Sequence, residues 1–388
     1  MIDFAVVANE PTPYRTHLLR RFATELPGTR LHSLFTMPEG NTSAPWKNDM
    51  DAQVNPVFFA SAKTRRPRGR NAVKLFRDIR DYLLEHQVKL VVLHGYSDLT
   101  RILLIRWADQ QGLPLWVRGD SNIFDDTDKP MAKLWLKRRL LTWIGRHSSG
   151  YMGMGSASRA FFKMYCNVPH QTLLCPVEPD YSLWETLDEQ LVAEVAAKHG
   201  LEPGRKRMLF SGRLVPVKRV DIVIEAFNQI AADRPEWDLV IVGDGELRSE
   251  LEARVAPAVR DRVKWLGFCQ SDELGPIYRS CHLMAHAAAK EPWGLVINEA
   301  TAASLPILTT YGVGGAIELV RHRVNGFLVA PNDTADFTQA MRHATADGVC
   351  EQLSARCASV LADWRASANP VHAIEEALRL AGLTEPPA

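Results

Sequence analysis

The sequence predicts two α/β domains, each a doubly wound parallel sheet with helices on both faces. Short apolar runs alternate with amphipathic stretches along most of the chain, which is the pattern of repeated β-α-β units. At 388 residues the chain is too long for one ordinary core, so two domains are expected. The alternation stops at LLCPVEPDYSLW (173–184) and restarts near residue 208, which divides the chain in two.

Five apolar runs in the first half predict the strands of an N-terminal domain over residues 1–175. Amphipathic stretches between the runs predict helices at 14–25, 72–86, 98–110 and 130–146. Strands buried on both faces of a sheet are almost continuously apolar, as these runs are. The runs are IDFAVVA (2–8), LHSLFTM (31–37), KLVVLH (89–94), LPLWVR (113–118) and GYMGMG (150–155).

Six further runs predict a second sheet, in a C-terminal domain over residues 206–365. A linker over 176–205, containing one polar helix, precedes it. In the last segment, 366–388, Asn369 is a suitable N-cap and Pro370 suits the first helical position, so a helix is expected that can cross back to the N-terminal domain. The runs are MLFSG (208–212), DLVIVG (238–243), VKWLG (263–267), HLMAH (282–286), PILTT (306–310) and GFLVA (326–330).

Composition excludes several classes of protein. The formal net charge is +1, so no overall field attracts nucleic acid. The start MIDFAVVANEP predicts a first strand and not a signal peptide, and no apolar run approaches the ~20 residues of a membrane span. The six cysteines are scattered without zinc-site spacing, which predicts reduced thiols and no metal. We therefore expect a cytoplasmic protein.

The stretch LFSGRLVPVKRVDIVIEAF (209–227) predicts an anion site. Arg213 follows a strand at once, and Lys218 lies five positions later, where the next helix begins. Two cations beside a helix N-terminus favour an anion, of which a diphosphate would be a natural example. The alternative is a solvated arginine and lysine in a loop.

A second stretch, AHAAAKEPWGLVINEATAASLP (285–306), carries two carboxylates eight positions apart. Glu291 lies in the predicted loop after a strand, and Glu299 lies about a turn and a half into the next helix. A carboxylate accepts two hydroxyls at once, which suits a vicinal diol. The backbone N–H groups at 294–296 would start the helix and provide a second anion pole. The alternative is a surface loop followed by a helix with one buried glutamate.

Two glycine-rich turns follow other predicted strands, VGDGEL (242–247) and TTYGVGGAIELV (309–320). Glycine permits tight backbone geometry at such turns. Taken alone, each is most simply an ordinary strand-to-helix turn.

Together these motifs resemble family 4 retaining glycosyltransferases, which have the GT-B fold of two Rossmann-like domains facing a central cleft. The resemblance rests on motifs that occur in order and span most of residues 205–335. They are GRLVPVK (212–218), VGDGEL (242–247), the glutamate pair 291 and 299, and GGAIELV with NGFLV within 314–329.

The resemblance implies roles for these residues. Arg213 and Lys218 would hold the donor diphosphate, Glu291 would contact the transferred sugar, and Glu299 would bind the nucleotide ribose. The donor would be a nucleoside-diphosphate sugar, UDP- or GDP-linked, with no cofactor and no metal. Five further residues would line the donor site: Gly243, Phe268, Trp293, Gly294 and Leu295.

The N-terminal half resembles the family more loosely. NEPTPYRTHLL (9–19) follows the first strand. Two later strands end in HGY (94–96) and RGDS (118–121). The resemblance implies an acceptor side formed by Pro11, Thr12, Tyr14, Arg15 and Asp120. Many members have a histidine in the active site where this chain has Arg118, and His94, one strand earlier, is the nearest candidate. We therefore expect both in the catalytic region. Ser304 stands where the family usually has glycine.

Three polar features have competing interpretations. Asp126-Thr127-Asp128 matches a metal-binding DxD, but we interpret it as a solvated turn. The basic stretch KTRRPRGRNAVK (63–74) lacks interleaved aromatics, so an anionic membrane or a phosphate-bearing lipid acceptor suits it better than nucleic acid. The basic amphipathic helix AKLWLKRRLLTWIGRH (132–147) can lie on a membrane or pack on its own sheet.

The leading hypothesis is a retaining glycosyltransferase that moves a hexose to a hydroxyl of a glycan or lipid-linked acceptor, in synthesis of a bacterial surface polysaccharide or glycolipid. Such an enzyme would be cytoplasmic, with possible peripheral contact at the inner face of the cell membrane. Alternatives are a GT-B sugar-nucleotide epimerase or phosphorylase, and a non-catalytic protein that binds nucleotides or glycans. The last alternative would be expected to have lost site residues, whereas Arg213, Lys218, Glu291 and Glu299 are all present.

Overall fold

A computed structural model describes residues 1–37, 52–59, 68–126, 129–166 and 171–385. The chain forms two compact units. The first unit comprises Met1–Glu178 with the chain from Ala368 onward, and the second comprises Pro179–Ser367.

The first unit contains a parallel sheet whose described strands lie in the order β3-β2-β1-β4-β5-β6-β7. Its strands are β1 (Ile2–Ala8), β2 (Thr29–Phe35), β3 (Pro56–Phe58), β4 (Leu90–His94), β5 (Leu115–Gly119), β6 (Gly150–Gly153) and β7 (Gln171–Leu174). Its first five helices are α1 (Pro13–Glu25), α2 (Gly69–Glu85), α3 (Leu99–Gln111), α4 (Met131–Arg146) and α5 (Ser156–Cys166).

Both faces of this sheet are covered, as the apolar runs predict. Along β1, Ala5 and Val7 join one core cluster, while Phe4 and Val6 join the other. Successive side chains of a strand point to opposite faces, so a strand buried twice must be apolar throughout.

The second unit has a parallel sheet of order β10-β9-β8-β11-β12-β13. Its helices are α6 (Ser182–Glu185), α7 (Glu189–Lys198), α8 (Val220–Ile230), α9 (Arg248–Arg254), α10 (Ser271–Arg279), α11 (Leu295–Ala302), α12 (Gly314–Leu319), α13 (Thr334–Ala344) and α14 (Val349–Ser367). Its strands are β8 (Lys206–Ser211), β9 (Trp237–Val242), β10 (Val263–Gly267), β11 (Leu283–His286), β12 (Ile307–Thr310) and β13 (Gly326–Val329).

The predicted fold class is confirmed, and the eleven predicted strands all form within a few residues of their expected bounds. The sequence analysis missed β3 and β7, which are short and only partly buried. The predicted linker over 176–205 needs correction, because most of it belongs to the second unit. There Tyr181, Trp184 and Leu201 are buried, so this segment is packed structure.

The last helix, α15 (Pro370–Leu380), belongs to the first unit, as predicted for a helix that crosses back. Asn369 is its N-cap and accepts a 3.0 Å hydrogen bond from the N–H of Val371. Its apolar face, which includes Ile374 and Leu378, joins the core cluster that contains α1. The helix is therefore held by apolar packing in this unit.

All six cysteines are free and buried. In the described parts of the chain, no helix is both long and apolar enough to cross a bilayer.

Candidate active site

The strand order of the second unit creates a crevice beside the carboxyl ends of β8 and β11. These strands are neighbours, but the chain continues to β9 on one side and to β12 on the other. Open α/β sheets bind ligands where the strand order reverses in this way. The loops after β8 and β11 contain the basic pair and the first glutamate singled out in the sequence.

Lys218 ends a short 3-10 turn, Pro216–Lys218, that follows β8. Its side chain is largely buried and forms an ion pair with Oε1 of Glu291. The loop containing this glutamate is fixed to the turn, because the N–H of Ala289 donates a 2.9 Å hydrogen bond to the carbonyl of Val217. A lysine and a glutamate 73 positions apart are thus brought into contact.

The second oxygen of Glu291 is held by a histidine at the end of β11. Nε2 of His286 lies 2.8 Å from Oε2 of Glu291, and the imidazole stacks on Phe210 with centroids 5.6 Å apart. Burial acts to raise the pKa of Glu291, but Lys218 and His286 outweigh it and lower that pKa to about 2. The carboxylate is therefore ionised at neutral pH and fixed from two sides.

His286 is itself fully buried, and this burial lowers its pKa despite the neighbouring carboxylate. The neutral ring donates from Nε2 to Glu291, so Nδ1 carries no proton. Nδ1 is buried and has no hydrogen-bond partner within the described residues. The sequence analysis did not identify His286 as a site residue, although its position as the last residue of an apolar run was a usable signal.

The glycine-rich turn after β12 holds the Glu291 loop by its backbone. The N–H of Glu291 donates to the carbonyl of Gly312 at 2.9 Å, and the N–H of Gly314 donates to the carbonyl of Glu291 at 3.0 Å. A β-carbon on Gly312 would lie 2.2 Å from the carbonyl oxygen of Ala289. Glycine is needed there because the two loops are in backbone contact.

Gly294 marks the start of α11 and has a φ of +85°. A β-carbon there would lie 2.8 Å from Cγ1 of Val313 and 3.3 Å from the carboxyl carbon of Glu291. This close approach allows α11 to begin at Leu295, beside the carboxylate.

Glu299 is the fifth residue of α11, close to the predicted depth. Its Oε2 accepts a 2.8 Å hydrogen bond from the hydroxyl of Tyr278. Burial raises the pKa of Glu299 to about 7, with the charge of Glu291 adding to the rise and Tyr278 and Lys218 opposing it. Tyr278 is a second site residue that the sequence analysis missed, since it lies in an ordinary amphipathic helix.

The other predicted donor-site residues differ in placement. Arg213 is exposed, five positions before Lys218 at the same edge of the sheet. Gly243 has a φ of +119°, and a β-carbon there would lie only 2.0 Å from the carbonyl oxygen of Gly212. Phe268 follows β10 and is partly exposed.

Trp293, predicted to line the donor site, packs its side chain inside the unit. Its side chain is 5% exposed, its Nε1 donates a 3.0 Å hydrogen bond to Oδ1 of Asn298, and its ring packs on Trp364. Both the polar atom and the aromatic surface are therefore occupied inside the unit. Its role is to support the loop between Glu291 and α11.

The first unit has its own cavity of about 90 Å³ at the carboxyl ends of β4 and β5. Pro11 and Thr12 are buried just before α1 and do not line it. The structure thus brings His94 and Arg118 together with three of the five predicted acceptor-side residues. The lining residues are Tyr14, Arg15, Leu18, His94, Arg118, Asp120, Met154 and Val177.

His94 and Arg118 are register partners on adjacent strands, and Nη1 of Arg118 lies 3.2 Å from Nδ1 of His94. Burial, reinforced by Arg15, Arg118 and Arg101, lowers the pKa of His94 well below its ordinary value. A guanidinium can only donate, so Nδ1 accepts and the proton of the neutral ring is on Nε2. His94 is therefore a hydrogen-bond donor at Nε2 and not a ready base.

Helix α4 exposes apolar side chains beside its basic residues. We call Met131, Trp135 and Leu136 the α4 patch; Trp135 is 60% exposed. The guanidinium of Arg139 lies over the Trp135 ring, 4.9 Å from its centroid. The far end of α4 instead buries Leu141 and Ile144 in the core. Of the two alternatives offered by the sequence, packing on the sheet holds for the C-terminal end of α4, whereas membrane contact at its exposed N-terminal end stays a prediction.

Of the DxD motif considered for metal, the structure describes Asp126. Asp126 is buried and accepts from Lys129 at 2.6 Å and from Lys137 at 2.9 Å, which corrects the interpretation as a solvated turn for this residue. Thr127 and Asp128, like residues 63–67 of the basic stretch, lie outside the described residues. One described group offers three metal-ligand atoms within 4.8 Å: His199, Cys269 and Glu273.

Comparison with known proteins gives the family of the second unit. Residues 192–359 match the family described as "Glycosyl transferases group 1". The uncharacterised glycosyltransferase MJ1607 of Methanocaldococcus jannaschii is 36% identical over 135 residues, 34% of each chain. D-inositol 3-phosphate glycosyltransferase of Nocardia farcinica is 31% identical over 157 residues, 38% of this chain and 35% of that one. The matches thus span about a third of these relatives.

The whole chain resembles solved structures in fold. Alr3699/HepE of Anabaena, crystallised in complex with UDP and glucose, superposes with a TM-score of 0.74. The superposition covers 99% of this chain and 100% of that chain, at 17% sequence identity. The predicted resemblance holds for residues 192–359, which match the group 1 glycosyltransferases, and the chain as a whole has the GT-B fold.

Proposed function

We propose that the protein is a retaining glycosyltransferase that moves a hexose from a nucleoside-diphosphate sugar to a hydroxyl of a glycan or lipid-linked acceptor. The observation that carries this proposal is the cluster at the β8–β11 edge of the second unit. There Lys218, Glu291 and His286 form one connected group, with Glu299 close enough for its pKa to respond to two of these charges. Retention of anomeric configuration rests on the family resemblance alone.

Lys218 and Arg213 suit the leaving diphosphate. An ammonium group has three N–H donors, so Lys218 can keep its ion pair with Glu291 and still donate to phosphate oxygens. Negative charge grows on the diphosphate as the bond to the sugar breaks, and preorganised cations stabilise that charge most in the transition state. With these cations in place, we propose that donor binding requires no metal and no cofactor.

The two glutamates suit the two polyhydroxylated parts of the donor. Glu291 is ionised and oriented by His286, so its carboxylate can accept hydroxyls of the transferred sugar. Glu299, inside α11, suits the ribose diol when it is ionised. Since burial raises its pKa to about 7, nucleotide binding is expected to strengthen as pH rises through neutrality. The donor is proposed to be UDP- or GDP-linked.

The α4 patch and its arginines favour an acceptor at a membrane surface. Apolar side chains that stay exposed beside Lys133, Arg138 and Arg139 match an interface with anionic lipid. We therefore propose peripheral contact of the first unit with such a membrane and a role in surface polysaccharide or glycolipid synthesis. This location fits a lipid-linked acceptor.

Thermal unfolding with UDP, GDP, dTDP and ADP, each with and without EDTA, tests the donor site. A ligand that binds only the native state adds about 2.7 kcal/mol of stability at a hundredfold excess over its dissociation constant. We expect one nucleotide to raise the midpoint, with no effect of EDTA. The corresponding sugar nucleotides would then be tested for transfer or slow hydrolysis.

Two variants make the test specific. Glu291→Ala should still bind the nucleotide but lose turnover, whereas exchanging the exposed Arg260 for Gln should change neither. A protein that binds no nucleotide, or an E291A variant with full turnover, would contradict the proposal.

A further inference from the structure

We propose that the cavity of the first unit is an oxyanion site, in which Arg15 and the Nε2–H of His94 bind a phosphate or carboxylate group of a substrate. This inference rests on the proposed function for the identity of that substrate. The family resemblance places the acceptor near this cavity but does not say what the acceptor is. The proposal adds that the substrate group bound here is an oxyanion.

The cavity carries more positive than negative charge, because Arg15 and Arg118 both line it whereas Asp120 is the one carboxylate in its lining. Among the described residues, neither Arg15 nor Arg118 has a carboxylate within ion-pair distance, although Arg118 is buried. Their neighbour Arg101 is different, because it forms a buried ion pair with Asp98. Burying a charge without a partner is costly, so an unpaired buried cation beside a cavity points to an anionic ligand.

Arg118 provides fixed charge. Its Nε and Nη2 donate to the carbonyl of Cys175 at 3.2 and 3.0 Å, and Nη2 also donates to the carbonyl of Pro176 at 3.0 Å. These bonds hold the guanidinium in place but leave its charge unneutralised, since carbonyls are dipoles. An anion in the cavity would provide the missing negative charge.

His94 provides a directed donor. Arg118 occupies its Nδ1, and the imidazole is neutral with its proton on Nε2. A neutral N–H beside two cations is suited to an oxyanion and poorly suited to a cation or a metal, which needs a free lone pair. The same bond keeps the ring in one tautomer, so the donor is present before the ligand arrives.

Arg15 provides the second donor. It lies in the first turn of α1, is half-buried, and uses Nη1 to donate to the carbonyl of Glu10. Burial lowers its pKa and the charges of Arg118 and Arg101 lower it further, although Tyr14 and Asp120 oppose this. An anion would relieve that repulsion. The N-terminus of α1 adds to the attraction, because Thr12 makes no capping hydrogen bond there.

Two substrates could supply the oxyanion: the donor through its diphosphate, or the acceptor through an acidic group near its reacting hydroxyl. Inorganic phosphate is a probe of the chemistry that both share. Adding phosphate to protein that is saturated with nucleotide distinguishes the two sources. Competition with the nucleotide would assign the site to the donor, and independent binding would assign it to an acidic acceptor.

The experiment follows the histidine side chains of the full chain by ¹⁵N NMR while inorganic phosphate is added at constant ionic strength and pH 7.5. We expect a saturable shift of His94 Nε2. Arg15→Gln should weaken phosphate binding about tenfold to a hundredfold, as expected for loss of a charged hydrogen bond. Arg77→Gln, an exposed arginine of α2, removes the same charge outside the cavity and should leave binding unchanged.

Arg15→Lys guards against a folding defect, because it keeps the charge and should retain part of the affinity at an unchanged melting temperature. No saturable shift in the wild type, or equal binding by wild type and R15Q, would overturn the inference. Failure of the proposed function gives a different result: no nucleotide binds, while His94 still responds to phosphate.

Discussion

Nε2 of His286 lies 2.8 Å from Oε2 of Glu291, the carboxylate whose other oxygen is paired with Lys218. A strand-end histidine and a turn lysine thus fix one carboxylate in orientation and charge. His286 lies five positions before Glu291 in the chain, whereas Lys218 lies 73 positions before it. The arrangement exists because β8 and β11 are neighbours in the sheet.

The histidine can be tested with a substitution that keeps the ring. His286→Phe should retain the stacking on Phe210 but remove the donor to Glu291, so the pKa of that carboxyl should rise from about 2. We expect turnover to fall about tenfold to a hundredfold. The acidic limb of the pH–rate profile should move to higher pH, which a purely structural defect would not cause. His343→Phe, at an exposed position of α13, is the control, and an unmoved acidic limb would refute a positioning role.

Glu299 should make the stability of the protein depend on pH. Its pKa is about 7 in the folded chain against an ordinary 4.5, so the folded state binds this proton more tightly than the unfolded state. The contribution of this group to the free energy of unfolding is therefore most favourable below pH 4.5. It decreases as pH rises from 4.5 to about 7.

Glu299→Gln removes this titration and keeps a polar partner for Tyr278. The variant should gain stability relative to wild type as pH rises, reaching roughly 3 kcal/mol above pH 7. Urea unfolding from pH 5 to 8 measures the difference, with the exposed Glu246→Gln as control. The same variant should bind nucleotide more weakly. A stability difference that stays flat with pH would show that Glu299 titrates normally.

Gly294 should tolerate no side chain. Gly294→Ala combines a φ of +85° with a β-carbon 2.8 Å from Cγ1 of Val313. We expect a loss of about 1 to 3 kcal/mol of stability and a larger loss of turnover, because the clash displaces the Glu291 loop. Val313→Ala in the same chain removes the contact but not the backbone strain, so it should restore only part of both. Full restoration would mean that strain is unimportant.

Membrane contact predicts that the α4 patch and the neighbouring charges act together. The full chain should float with liposomes that contain anionic lipid at low salt and remain in solution with neutral liposomes. Exchanging Trp135 and Leu136 for Gln should abolish flotation, since it removes the exposed apolar contact. Leu84→Gln, which removes a comparably exposed leucine from α2, should leave flotation unchanged. If the wild-type protein does not float with anionic liposomes at low salt, the α4 patch does not bind membranes.

Periodicity predicted most of the fold because parallel strands buried on both faces are almost continuously apolar, as in β1 and β9. It failed for β3 and β7, which are short and only partly buried. The charged site residues were recognisable because a lysine or glutamate beside an apolar run is unusual.

His286 and Tyr278 were not predicted as site residues, since their roles come from tertiary contacts with Glu291 and Glu299. Trp293 occupies the motif position expected of a donor-site residue, but its side chain is buried, and its part in donor binding stays a prediction.

Ser304 is the departure from the family pattern whose effect is easiest to measure. It has a φ of +56° just after α11, where Ser304 N–H donates to Thr301 at 3.1 Å and Leu305 N–H donates to Ala300 at 2.8 Å. This is the helix-ending geometry that favours glycine. Ser304→Gly should raise the free energy of unfolding by about 0.5 to 1 kcal/mol, because it relieves left-handed strain. The hydrogen bond from Ser354 ends on the backbone carbonyl of Ser304 and would survive. Ser304→Ala keeps the β-carbon and should give no gain, so equal urea midpoints for the two variants would rule out backbone strain at this position.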